Sequence, residues 1–276
     1  MPHTIRLDRY FARIGYDGPR LPTLDVLRAL QRLHPQAIPF ENLDPLTGRR
    51  VLLDPASIEA KLVDRRRGGY CFEQNRLFAE ALMQLGFRVT PLIARVLWGR
   101  DPDAVTARTH MLLRVDIDDV SWLADVGFGR VTLTAPLRLI TGGPQPTLLE
   151  TCRLADASRG ALDLEAASGD RWFKVYRFDL QPAEWIDYEV ANWYTSTWPD
   201  SHFVHDLIVC NTRPDGRTLL VNTKLSTLDA HGGRSDRTLA DAAELAACLH
   251  DMFGIATGDI DLADVYRRAA ERDAAA

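Results

Sequence analysis

The periodicity of the chain changes at Gly86, and that change constrains the fold more than any other feature. Before it, apolar residues recur at helical spacing; after it, they recur as in strands. Thr4 or Asp8 opens a first helix that turns Tyr10, Phe11 and Ile14 inward. Thr23 caps a second, with Leu24, Leu27, Leu30 and Leu33 in phase. Asp54-Pro55 joins a cap to proline at the first helical position, and Ile58 and Leu62 follow on one face. The run after Cys71 places Leu77, Phe78, Ala81, Leu82 and Leu85 on one stripe, which Gly86 ends. Beyond it, 89–98, 109–117, 120–126 and 171–180 read as strands, and 142–146 as a loop. The last third mixes types. Strands at 204–210 and 217–222 flank the turn Arg213-Pro214-Asp215-Gly216, and a helix spans 238–253 before Gly254. Ala274 to Ala276 are expected to fray. The reading is an α+β chain.

Composition removes several function classes. The chain has 276 residues, 46% of them hydrophobic, enough for a substantial core. Its formal net charge of -5 argues against nucleic acid, whose binding needs a concentrated basic surface. No apolar stretch approaches a transmembrane helix, and the first nine residues carry charge where a signal peptide needs an apolar run. Cysteines at 71, 152, 210 and 248 show neither metal-like pairing nor a disulfide framework. They read as thiols of a cytoplasmic protein with no metal.

Of these four, only Cys71 has an activating setting. It follows Arg67-Gly68-Gly69-Tyr70 and opens the helix-like run. The glycines are expected to leave room above the sulfur. A helix start supplies free N–H groups and a positive dipole end, which favour thiolate over thiol.

A base and an acid come from the first two paired strands. With Asp118-Asp119 as a two-residue turn, Ile117 faces Val120, Val115 faces Trp122 and Leu112 faces Asp125. His110 then shares a face with Asp125 as its diagonal neighbour, roughly 7–8 Å away. Met111, Leu113, Val115 and Ile117 point to the other, core face, so the pair goes to the less apolar side. A one-residue slip would put His110 and Asp125 on opposite faces. An imidazole oriented by a carboxylate is what a thiol nucleophile needs to lose its proton and to protonate a leaving group. Each residue also has a plain structural reading: a small buried thiol, a hydrogen-bonded strand histidine, an aspartate opening a turn.

These segments resemble the arylamine N-acetyltransferase family in its bacterial form. The resemblance rests on Arg67-Gly68-Gly69-Tyr70-Cys71 with Glu73 and Asn75, on Thr109-His110-Met111, and on Asp125-Val126-Gly127-Phe128-Gly129 followed by Pro136-Leu137. Pro39-Phe40-Glu41-Asn42-Leu43 is similar to a further family segment, and the likeness is looser beyond about residue 140, where it rests on Ser201-His202-Phe203 and the late helix. The resemblance implies a helical bundle over 1–87 bearing Cys71, a β-barrel over 88–190 bearing His110 and Asp125, and an α/β lid over 191–276. The core would be of the cysteine-protease type. It implies xenobiotic metabolism by a ping-pong reaction: acetyl-coenzyme A acylates Cys71, and an arylamine or arylhydrazine takes the acetyl group. By motif position Phe40, Phe128 and Phe203 would wall the aromatic acceptor. Coenzyme A would be held without a dinucleotide or Walker-type loop, by the backbone of Gly127 and Gly129 and by Thr109. No tightly bound cofactor is expected. Arg67 would pair with Glu41 and brace the loop.

Other readings use the same residues. An amide synthase would take its acyl chain from a carrier protein. A cysteine hydrolase would pass the acyl group to water, and a binding protein would have kept only the fold.

Overall fold

The computed structural model describes residues 3–230 and 232–275. Its helical third forms much as the spacing predicts. Helix α1 (Leu7–Ile14) buries Tyr10, Phe11 and Ile14, but it opens after Arg6, and neither Thr4 nor Asp8 caps it. Gly15, at φ 71°, closes it. Thr23 caps α2 (Leu24–Ala37) by accepting from the Val26 N–H. Strand β1 (Phe40–Glu41) and the single turn α3 (Leu43–Leu46) follow. Asp54 accepts from the Ser57 N–H and starts α4 (Pro55–Ile58), which runs on as π-helical turns over Glu59–Asp64. Helix α5 (Cys71–Gln84) buries Leu77, Phe78, Ala81 and Leu82 completely, since its stripe lies between helices and sheet.

The strands β2 (Arg88–Val96), β3 (Arg108–Ile117) and β4 (Val120–Ala124) form the expected meander. Ile117 pairs with Val120 and Val115 with Trp122, and Asp118 supplies the left-handed turn residue at φ 52°. The outer-face expectation needs correction. Met111, Leu113 and Val115 do join the helical core, but Leu112 and Leu123 are equally buried, in a second core with Leu92, Leu154, Leu164 and Phe178. Both faces of the hairpin are therefore covered, and His110 and Asp125 face a barrel interior.

The barrel comes from β5 (Leu137–Arg138), β6 (Gln145–Pro146), β7 (Thr151–Asp156), β8 (Leu162–Ser168) and β9 (Arg171–Phe178). Among the described residues the order is β5-β4-β3-β2-β9-β8-β7-β6. The seam between the outer strands is spanned by one side chain: Gln145 Oε1 accepts from the Arg138 N–H (2.8 Å) and its Nε2 donates to the Arg138 carbonyl (3.0 Å). The segment expected to be only a loop thus carries the closing strand.

Helix α6 (Trp185–Thr197) leads to a second sheet: β10 (Ile208–Arg213), β11 (Gly216–Val221), β12 (Lys224–Asp229) and β13 (Arg234–Thr238). Its order is β1-β10-β11-β12-β13, so Phe40–Glu41 is its edge strand and Phe40 sits opposite Cys210. The expected strand at 204–210 starts later, because Asn42 Nδ2 donates to the carbonyls of Phe203 and Asp206 and holds that stretch in a turn. The expected helix at 238–253 also starts later. Thr238 pairs with Lys224, and Asp241 caps α7 (Ala242–Asp251). Helix α8 (Leu262–Ala274) ends the chain, so Ala274 is helical; Ala276 lies outside the described residues. Among the described residues no helix is long and apolar enough to cross a membrane.

Candidate active site

Cys71 is the first residue of α5 and is 5% exposed. The loop before it is pinned from below. A Cβ on Gly68 would lie 2.3 Å from the Pro39 carbonyl oxygen, so glycine there lets two backbones meet. The room that Gly68 provides is for the loop's own support, not for the space above the sulfur.

His110 and Asp125 meet as the register requires. The imidazole Nε2 lies 2.7 Å from Asp125 Oδ2, with both side chains nearly inaccessible. The other ring nitrogen is turned from Asp125, and the Cys71 thiol is near enough to favour the charged form of the ring. The sulfur also lies 3.5 Å from the Thr109 carbonyl oxygen. Burial opposes charge on His110, but the Asp125 carboxylate and the thiol outweigh it and push the imidazole up to about 10. Burial likewise opposes charge on Asp125. The imidazolium, Asn75 and the Gly127 N–H outweigh it and hold the carboxyl below its usual range. A thiol, imidazole and carboxylate in this order can separate charge before any substrate arrives.

The helix that carries the thiol also sets the acid. Asn75, one turn beyond Cys71, donates through Nδ2 to Asp125 Oδ1 (2.9 Å) and to the Met111 carbonyl (2.7 Å). Its Oδ1 accepts from the Val126 N–H. Gly127 donates to the same Asp125 oxygen at 2.9 Å, and a Cβ there would sit 2.9 Å from the Cys71 Cα. Sequence reasoning assigned Asn75 no role, although the i, i+4 relation to Cys71 places both on one face. Gln74 was also missed. Its Nε2 donates to the carbonyls of Pro39 (2.8 Å) and Gly69 (3.1 Å), clamping the loop. Tyr176 was missed as well; its ring lies 4.9 Å from that of His110.

The expected aromatic residues divide into two groups. Phe128 stands edge-on to His110, with ring centres 5.1 Å apart. Phe40 and Phe203 face one another at 6.1 Å on the side of the second sheet, and Phe40 is largely buried. Gly129 joins the two groups, since a Cβ there would lie 3.1 Å from the Phe40 ring. The expected cofactor contacts divide too. The Gly127 N–H is taken by Asp125 and that of Gly129 by Thr132 Oγ1, which leaves the Phe128 N–H unpartnered among the described residues. Thr109 instead lines a hollow of about 490 Å³ with Ile93, Val190 and Tyr194.

Arg67 meets Glu41 as expected, with Nη2 2.8 Å from Oε1, and it also meets Asp44. The remaining thiols are pushed up by burial: Cys152 to about 12, Cys210 and Cys248 to about 11.

Comparison with known proteins finds relatives in both sequence and fold. The N-acetyltransferase family model matches residues 23–261. An arylamine N-acetyltransferase of Escherichia coli (strain K12) is 42% identical over 92% of this chain and 90% of its own length. The structure of the M. tuberculosis arylamine N-acetyltransferase superimposes with a TM-score of 0.91 at 44% identity, covering 96% of this chain and 99% of that one. That of the Mycobacterium marinum enzyme in complex with CoA gives 0.92 at 42% identity, with the same coverage. The chain belongs to the arylamine N-acetyltransferase family.

Proposed function

We propose that this protein transfers an acetyl group from acetyl-coenzyme A to the nitrogen of an arylamine or arylhydrazine, through a thioester on Cys71. The observation that carries the reading is the 2.7 Å contact of His110 with Asp125, beneath the helix start that bears the buried Cys71 thiol. Cys71, His110 and Asp125 act as nucleophile, base and orienting acid in a cysteine-protease-type core. The helical region 1–87 bears the thiol, the barrel 88–190 bears the other two, and 191–276 forms the lid.

In the first half-reaction the Cys71 thiolate attacks the thioester carbonyl. The Cys71 N–H at the start of α5 and the Phe128 N–H, both without a partner among the described residues, are the donors for the oxyanion. The C–S bond to coenzyme A breaks, and the His110 imidazolium gives its proton to the departing thiolate. In the second half-reaction the amine lone pair attacks the acetyl-cysteine. His110 takes the amine proton, and Cys71 leaves as thiolate. An aromatic amine suits this step because it is neutral near pH 7 and its ring can pack between Phe128, Phe40 and Phe203. Gly127, Gly129 and Thr109 hold coenzyme A as co-substrate.

The test is intact mass after incubation with acetyl-coenzyme A alone, with Cys71→Ala as control. One added acetyl group that disappears on adding an arylamine, and is never gained by Cys71→Ala, supports the scheme. No gain with intact protein, or an equal gain in Cys71→Ala, removes it.

A further inference from the structure

Beneath the Cys71 loop lies a buried cluster of five charged groups that does not balance. Glu41, Asp44 and Glu73 face Lys61 and Arg67: three carboxylates against two cations, with side-chain exposures between 0% and 12%. Asp259, 3.7 Å from Arg67, is exposed and already held by Arg49. A surplus carboxylate without solvent or cation keeps its proton more readily than it holds its charge.

The contacts show which one that is. Glu41 has the Arg67 Nε and Nη2 together with the Leu43 N–H at 2.6 Å. Asp44 has Lys61 at 2.6 Å and Arg67 at 3.1 Å. Among the described residues Glu73 has only Lys61, at 2.7 Å and shared with Asp44, and the Tyr70 N–H at 3.1 Å. Burial, reinforced by the charges of Asp44 and Glu41 against that of Lys61, pushes Glu73 up to about 7.

Glu73 is coupled tightly to the nucleophile loop. It receives the N–H of the residue before Cys71, and a Cβ on Gly69 would lie 2.6 Å from its Oε2. It sits in the first turn of the helix that Cys71 opens, where a second negative charge competes with a thiolate for the same dipole end.

We propose that Glu73 is a positioning residue whose single proton balances this cluster, so that its ionisation lowers the reactivity of Cys71. The proposal rests on reading Cys71 as the nucleophile. Below neutrality the cluster is neutral and Cys71 meets no opposing charge from it. Above neutrality one buried negative charge appears beneath the loop. The imidazolium of His110 persists across this window, so its loss cannot produce a fall in reactivity there.

The experiment is the rate of Cys71 alkylation by iodoacetamide from about pH 5.5 to about pH 8.5, which requires no acetyl transfer. The wild-type rate constant is expected to fall about three- to tenfold through neutrality. Glu73→Gln, which keeps an acceptor for the Tyr70 N–H, is expected to abolish that fall. Superimposable profiles overturn the proposal. Infrared spectra of the wild-type protein give a readout independent of reactivity: a protonated carboxyl band should vanish as pH rises through neutrality. Its absence overturns the proposal whatever the variant does. Should Glu73→Gln fail to fold, Lys61→Met replaces it. Loss of that cation is expected to move the band's titration to higher pH, and an unmoved titration overturns the assignment.

Discussion

Two histidines in this molecule are both buried, yet their surroundings push their titration in opposite directions. His34 on α2 is 0% exposed and His110 on β3 is 2% exposed. Burial pushes His34 down to about 4, with Arg13 adding to the effect and only an amide hydrogen bond opposing it. The same burial acts on His110, yet the ring is pushed up to about 10. The difference is the partner. Nε2 of His34 faces Gln74 Oε1 at 2.7 Å, whereas Nε2 of His110 faces a carboxylate at the same distance. The network fixes the His34 tautomer. Gln74 Nε2 donates to backbone carbonyls, so its oxygen must accept from His34 Nε2–H, and Nδ1 accepts from the Tyr10 hydroxyl at 2.8 Å. One histidine therefore serves as a neutral strut under the nucleophile loop, and the other as a cation beside the thiol.

The largest test of this contrast removes the carboxylate. Asp125→Asn gives His110 an amide partner like that of His34. Acetyl transfer should fall by about 10⁴-fold with the fold retained by circular dichroism. A fully active variant would mean that the His110–Asp125 contact has no part in the reaction. The reverse exchange, Gln74→Glu, gives His34 a carboxylate and removes the donors to Pro39 and Gly69. It should protonate His34 at neutral pH and cost about 2–4 kcal/mol in denaturant unfolding, through the stranded carbonyls. An unchanged midpoint would show that the clamp does not support the loop.

A third test uses pH alone. His34 has a folded value below the 6.5 of the unfolded chain, so the unfolded state takes up the proton first. Stability should fall between pH 6.5 and about 4, by on the order of 3 kcal/mol in the wild-type protein. The sign is opposite for His110. Its contribution is complete below 6.5 and is lost as pH rises toward about 10. Replacing His34 by Gln should flatten the acid side only, as measured by urea unfolding at a series of pH values. The smallest expected effect is that of Tyr10→Phe, which removes one hydrogen bond to His34. It should cost about 1 kcal/mol and leave acetyl transfer unchanged.

The two sites were unequally legible in the sequence. The His110–Asp125 pair followed from strand alternation and a two-residue turn, because both are local rules that the β3–β4 register obeys. The covered barrel face was not legible. Alternation identifies which residues share a face but not what packs on it, and the strands that cover Leu112 and Leu123 reach as far downstream as Phe178. Cys71 was legible from its glycines and its place at a helix start. The polar support beneath it was not, because Gln74 meets His34 from 40 positions away and Glu73 meets Lys61 on a turn of unusual winding. Only the Arg67–Glu41 pair of that cluster came forward, through resemblance. Helices α6 and α8 and strands β12 and β13 were not anticipated. Strand β13 is exposed throughout, so it carries no apolar alternation to read.

The charge state of His110 before substrate binds decides whether the thiolate–imidazolium pair is preformed. Nitrogen-15 NMR of the histidine rings at neutral pH measures it directly, with Cys71→Ala and His34→Gln used for assignment. The expected result is a His110 ring protonated on both nitrogens, with the His34 ring protonated on Nε2 alone. A neutral His110 in the wild-type protein would contradict the preformed thiolate–imidazolium pair.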